Sequence, residues 1–165
     1  MTPADLQNTL MQRISLILKD FPLETSYNDP TKFKVYKQHP PEQDAEDHTD
    51  QDEWEKEIYP FVSVKLLGGD KKGNHTTQLE PVLLMIGVRN EEMNGKGFDD
   101  AVTAAQAIMN DLNKNPMIDQ RYPIQYPMKW TPYEENTFPY FFIGIELTFE
   151  MLTITNQGGM NDGNW

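Results

Sequence analysis

The sequence predicts an α+β fold, a single domain with one mostly antiparallel sheet of about four to five strands and two helices packed on it. Three observations predict it. Two stretches, near residues 3–21 and 98–112, place apolar side chains three and four apart, the period of a helix with one buried stripe. Segments between residues 60 and 153 are apolar at every second position or throughout, with turn-forming residues between them. The chain has 165 residues, the size of one ordinary domain, and can bury roughly 70% of the surface its unfolded form exposes. The domain is expected over residues 1–155, followed by a loose Gly/Asn-rich tail at 156–165.

Thr2 is placed to cap the first helix, Pro3 fits its first turn, and Asp5 completes a shortened capping box. Leu6, Leu10, Ile14, Ile17, Leu18 and Phe21 form its stripe, and Pro22 stops it. Lys32 to Tyr36 alternates polar and apolar residues, the pattern of a short edge strand. An acidic loop is expected over residues 39–58. Within it, residues 42–57 hold nine acids and the single base Lys56, which is −8 of the chain's total of −12. With no aliphatic residue before Ile58 except Ala45, that stretch has little apolar area to offset the entropy of ordering it. The expectation is a solvated segment with one helical turn around Trp54, removable without unfolding the domain.

Phe61 to Leu67 reads as a strand, Gly68 to Asn74 as a turn, and Pro81 to Val88 as a second strand, apolar on both faces and therefore central. The two form a hairpin with a long polar tip. Gly95, Lys96 and Gly97 break the pattern, and Asp99 and Asp100 suit the positive end of a helix dipole. Phe98, Ala101, Val102, Ala105, Ile108, Met109 and Leu112 then form one apolar stripe that ends before Pro116. Tyr122, Ile124, Tyr126, Met128 and Trp130 alternate along one face of a strand that Pro123 and Pro127 push to the sheet edge. After a turn at 131–136, the last strand runs from about Phe138 to Thr153. Phe141, Ile143, Ile145, Leu147, Phe149 and Met151 all face one way along it.

Charge and residue types exclude several chemistries. The chain has no cysteine, hence no disulfide, thiolate metal site or cysteine nucleophile, which suits a reducing cytosol. Fourteen Lys and Arg against 26 Asp and Glu argue against a phosphate-binding surface, which needs clustered bases. No apolar run approaches the ~20 residues of a membrane span, and no basic segment precedes an apolar one at the N-terminus, so a soluble intracellular protein without membrane contact is expected. His39, His48 and His75 form no pair on one helical face. Asp44, Asp47 and Asp50 lack the turn glycine of a calcium loop, so no metal site is expected. Ser15, Ser26 and Ser63 sit in no nucleophile elbow. Gly68, Gly69 and Gly73 lack the Lys-Ser/Thr of a phosphate loop, and Asp99 and Asp100 would repel an anion from the helix start after Gly97. No catalytic residue and no cofactor is expected.

What remains is aromatic. Tyr122, Tyr126, Trp130, Tyr133, Phe138, Tyr140, Phe141 and Phe142 are eight of the chain's eighteen aromatics, more than one sheet face can hide. Rings left exposed at a strand end mark a protein interface, with Trp130, Tyr133, Phe138 and Tyr140 as candidates. The same region carries a resemblance. Asn115-Pro116-Met117-Ile118, Tyr122-Pro123-Ile124, Tyr126-Pro127-Met128-Lys129-Trp130, Phe138-Pro139-Tyr140-Phe141-Phe142 and Gly144 to Met151 resemble the C-terminal half of tail-completion proteins of long-tailed bacteriophages, the tail-terminator class. Pro60 to Val64 and Gly97 to Asp100 extend the likeness over about residues 60–152.

The resemblance implies a ring-forming α+β subunit without enzymatic activity or cofactor. Its partners would be its own copies, usually in a hexameric ring, the tail tube protein that the ring caps, and the head-tail connector proteins. DNA would pass through the ring without specific binding. The protein would reside in the virion at the head-proximal end of the tail, and in the host cytoplasm during assembly. The acidic loop and the C-terminal tail have no match in the family. Other readings are a head-side neck or stopper protein, an acidic DNA mimic, which −8 in one loop disfavours, and a metal-dependent hydrolase built on the Asp/Glu/His loop.

Overall fold

A computed structural model describes residues 2–23, 32–42 and 50–151. In chain order the elements are α1 (Pro3–Ile17), β1 (Lys34–Lys37), α2 (Gln51–Ile58), β2 (Phe61–Leu66), β3 (Gln78–Arg89), α3 (Lys96–Lys114), β4 (Met117–Ile118), β5 (Tyr122–Pro132) and β6 (Tyr140–Met151). The fold is α+β, with one sheet in the order β1-β2-β3-β6-β5-β4. Only β1 and β2 run parallel; the other neighbours are antiparallel. Six strands and three helices exceed the expected four to five and two. The surplus is β4, whose two residues are too few to show a period, and α2, which falls in the stretch expected to be a solvated loop.

α1 and α3 cover one face of the sheet. α1 packs on β1 and β2, and α3 on β3 and β6. α1 begins as its sequence predicts. Asp5 N–H donates to Thr2 Oγ1 at 3.2 Å and Thr2 N–H to Asp5 Oδ2 at 2.8 Å, so both members of the capping box are satisfied. Arg13 ties the helices together. Its Nε lies 2.7 Å from Asp111 Oδ2, and its Nη2 donates to the Asp111 and Asn115 carbonyls at 3.0 and 2.8 Å. A cation there also suits the negative end of the α3 dipole.

Between helices and sheet lies the aliphatic core. Leu6, Leu10 and Ile14 of α1 and Ala101, Ala105, Ile108 and Leu112 of α3 join Val62, Val64, Leu84, Ile86, Ile143, Ile145 and Phe149 of the sheet in one buried cluster. The six residues expected to face inward from β6 follow that alternation, with Phe141 only half-buried at the strand start. α3 departs from its expected stripe at one end. Phe98 lies in the first turn, past the sheet, and is exposed.

β5 also departs from its pattern. Ile124 and Trp130 do share the helix-covered face, paired with Phe149 and Ile145. Six residues of β5 therefore span four of β6, and the extra two bulge out between Gln125 and Lys129. Pro127 has no N–H to give to a ladder, so this is where pairing fails, and Tyr126 is left half exposed. β4 pairs only with Tyr122 and Pro123, so the rest of β5 is the sheet edge expected of it. The tail at 156–165, and His48 with Asp44 and Asp47, lie outside the described residues.

The second sheet face is packed by a different chemistry. Phe61, Gly87 and Phe142 stand in one row across β2, β3 and β6. A Cβ on Gly87 would overlap the buried Phe61 ring. Gly87→Ala is therefore expected to cost about 1–3 kcal/mol. Chemical denaturation measures it, and the melting temperature should fall by roughly 2–4 °C per kcal/mol.

Candidate interaction surface

A ring cluster sits at the end of the second face where β2 begins and β3 ends. Tyr59 packs edge-on to Phe61 at 5.1 Å between ring centroids and lies 5.3 Å from Tyr140. Tyr140 stacks on Phe142 at 6.4 Å, and Tyr133 meets Phe142 edge-on at the same distance. The β-strand period places these rings together: Tyr140 and Phe142 are two apart on β6, and Tyr133 N–H donates to the Phe142 carbonyl across the hairpin.

α2 closes part of this face, and one ion pair holds it there. Glu55 Oε2 lies 2.8 Å from Arg89 Nε, each residue being 6% exposed. Arg89 also reaches Glu91, Nη2 to Oε1 at 2.5 Å. Gln51 Nε2 donates to Glu55 Oε1 at 3.0 Å, and the Tyr140 hydroxyl donates to the same oxygen. At the other end of α2, Lys34 Nζ donates to the carbonyls of Lys56 and Tyr59 at 3.2 and 2.9 Å, a cation on a helix C-terminus. Residues 51–58 thus form a two-turn helix with a buried acid, where composition suggests a solvated segment with one helical turn around Trp54. The sequence signal is present but weak: in a run of acids, Glu55 is buried together with Ile58.

The electrostatics follow from this packing. Burial pushes the Glu55 carboxyl up, but the hydrogen bonds from Tyr140 and Gln51 and the Arg89 guanidinium outweigh it and hold the group below its ordinary 4.5. Burial, reinforced by the Glu55 hydrogen bond and charge, raises Tyr140. Burial and the neighbouring Tyr140 and Glu55 push Tyr59 up to about 12.

Beside this network the ring cluster opens into a hollow of about 170 Å³. Phe98 from α3, Tyr133, Glu135 and Phe138 from the β5–β6 turn, and Phe141 and Phe142 from β6 line it. The loop after β3 is fastened alongside, with Asn90 N–H donating to the Pro139 carbonyl at 2.8 Å. Of the four candidate contact residues, Tyr133, Phe138 and Tyr140 line this hollow together. Tyr133 is 54% exposed and Phe138 42%. Tyr140 is half-buried and committed to Glu55. Trp130, 39% exposed, stands apart beside Ile145 on the helix-covered face. Phe98, 38% exposed, belongs to the group, although its helical spacing assigns it to the core.

Among the described residues no three His, Asp or Glu side chains are grouped to hold a metal ion, and no helix is long and apolar enough to cross a membrane. No protein-family model matches the chain, and no curated protein matches its sequence.

The ion pair sets a pH dependence. A carboxyl held below its unfolded value adds stability that is present above that value and lost as pH falls through the folded one. At about pH 7, Glu55→Gln is expected to cost about 3 kcal/mol, the low end for a broken buried pair because Glu91 still faces Arg89. The gap between wild type and variant should narrow as pH falls below 4.5. Urea unfolding across the acid range checks this; a constant gap would contradict it.

Proposed function

We propose that the chain is a non-enzymatic structural subunit of the tail-terminator kind. Copies close into a hexameric ring, cap the tail tube of a long-tailed bacteriophage, and offer the surface that head-tail connector proteins join. One observation carries the reading. Phe98, Tyr133 and Phe138 are large apolar rings, each exposed, gathered around one hollow. Contiguous exposed rings mark a surface built to meet protein. The hairpin that presents two of them is also the part of the chain that carries the resemblance.

The sheet edges favour docking by side chains over strand addition. β1 has four residues and carries Lys34 and Lys37, and the free edge of β5 carries Pro127, Lys129 and the bulge. Short, charged and bulged edges discourage pairing with another chain. The net charge of −12 suits a channel through which DNA passes unheld, since carboxylates repel phosphate.

Electron microscopy of tail tube protein assembled with and without this chain tests the reading. The expected result is short tubes of narrow length distribution with one ring at an end, and no shift of duplex DNA in a binding assay. Tubes equally long and polydisperse in both samples would overturn it and favour the head-side neck protein.

A further inference from the structure

The two ends of the sheet differ in sign and in texture. At one end lies the aromatic hollow, lined by Glu135 among its rings; Glu134 and Asp99, next in sequence to the lining residues Tyr133 and Phe98, are exposed, as are Glu91, Glu92 and Lys96 between β3 and the start of α3. At the other end is the β2–β3 connection, residues 67–77, which contains Lys71 and Lys72, the chain's sole adjacent pair of bases, beside Asp70. The charges of this connection sum to +1 in a chain of −12, with the buried Glu80 and the half-buried Glu150 lining the clefts beside it. This tip is fastened on both sides of the lysines. Asp70 and Leu79 exchange backbone hydrogen bonds at 3.0 and 2.7 Å, and Gly73 N–H donates to Thr76 Oγ1 at 2.9 Å. Lys71 and Lys72 are therefore exposed on a short, braced segment, so less ordering entropy is lost if they are bound.

The geometry points to a head-to-tail contact between copies of this chain, in which Lys71 and Lys72 of one copy enter the acid-rimmed aromatic hollow around Phe98, Tyr133 and Phe138 of the next. It rests on the ring reading above and names the contact that closes the ring. β3 separates the two ends by twelve residues at about 3.4 Å each, so a tip cannot reach its own hollow. A lysine fits such a site twice over: its methylene stem covers ring surface, and its ammonium is drawn to ring faces and to the rim carboxylates. Copies of a strongly acidic chain repel one another at long range, so self-association needs a place where the signs are locally opposite, and these two ends supply it. Because the two patches differ, the contact is heterologous, the kind that propagates around a ring until it closes.

Charge exchange at exposed positions tests the contact without touching the core. Native mass spectrometry and sedimentation would compare wild type, Lys71→Glu/Lys72→Glu, Glu134→Lys/Glu135→Lys and the four-fold exchange. Each double variant is expected to weaken self-association at least about tenfold, since like charges then face each other. The four-fold variant should recover most of it, which a merely misfolded protein would not; general repulsion alone would instead strengthen assembly of Glu134→Lys/Glu135→Lys, the double variant that lowers the net negative charge. Tyr133→Ala should weaken assembly in the wild-type background as well. A monomeric wild type, double variants that assemble like wild type, or a four-fold variant no better than the doubles would overturn the inference. Tube capping is scored separately: capping by a protein whose assembly ignores these exchanges removes this contact and leaves the terminator reading standing, whereas assembly through this contact without capping does the reverse.

Discussion

A charge pair buried beneath a two-turn helix is the constraint on which the aromatic end of the molecule depends. α2 has eight residues, five of them charged, and its N-cap Asp50 makes no side-chain cap bond. Isolated helices shorter than about 12–15 residues are marginal in water, so α2 exists because of what it touches. It touches Arg89 and Tyr140 through Glu55, and Lys34 through its last carbonyls. Burying two charges is unfavourable by several kcal/mol each unless they pair well and their remaining hydrogen-bonding capacity is met. Here Glu55 accepts from Gln51 and Tyr140 besides facing Arg89, and Arg89 faces Glu91 as well. Glu55 meets that condition, and Ile58 at the end of α2 and Phe61 at the start of β2 are nearly inaccessible.

Two kinds of packing therefore share one sheet. On the helix-covered face, aliphatic side chains from α1 and α3 interlock with β2, β3 and β6, and the burial is continuous. On the other face the rings of Tyr59, Phe61, Tyr140 and Phe142 pack against one another, roofed at one end by α2 and open at the other. The hollow lies at an end of the sheet, where Phe98 of α3 and Phe141 from the helix-covered side meet Tyr140 and Phe142 from the ring side, with Tyr133 and Phe138 completing it. Tyr140 joins the two regions: its hydroxyl donates to Glu55 of α2, and the residue also lines the hollow.

Much of this was legible in the sequence, and the exceptions have a common cause. α1, α3, β3 and β6 announce themselves through caps and periods, because the forces that order them act on nearest neighbours in the chain and on one continuous face. α2 does not, because its partners lie far off in sequence: Tyr140 is 85 residues from Glu55, and Lys34 is 22 from Lys56. Summed over residues 42–57, composition conceals Glu55, the buried acid among the described residues of that stretch. At the surface, three of the four residues that the aromatic count picks out line one hollow. Trp130 is close to them in sequence, but strand parity pairs it with Ile145 on the helix-covered face. Phe98 was lost to the core stripe because periodicity cannot show where a helix outruns the sheet beneath it.

The most direct test of the account is native-state hydrogen exchange on wild type and Arg89→Met. Removing the guanidinium leaves Glu55 buried without its counter-charge, and the cost should fall first on the elements that meet there. The account predicts faster exchange in residues 51–61 and in the hairpin end around 133–142, with α3 and the central β3–β6 ladder at wild-type protection. Unchanged protection across α2, or faster exchange spread evenly over the whole sheet, would contradict it.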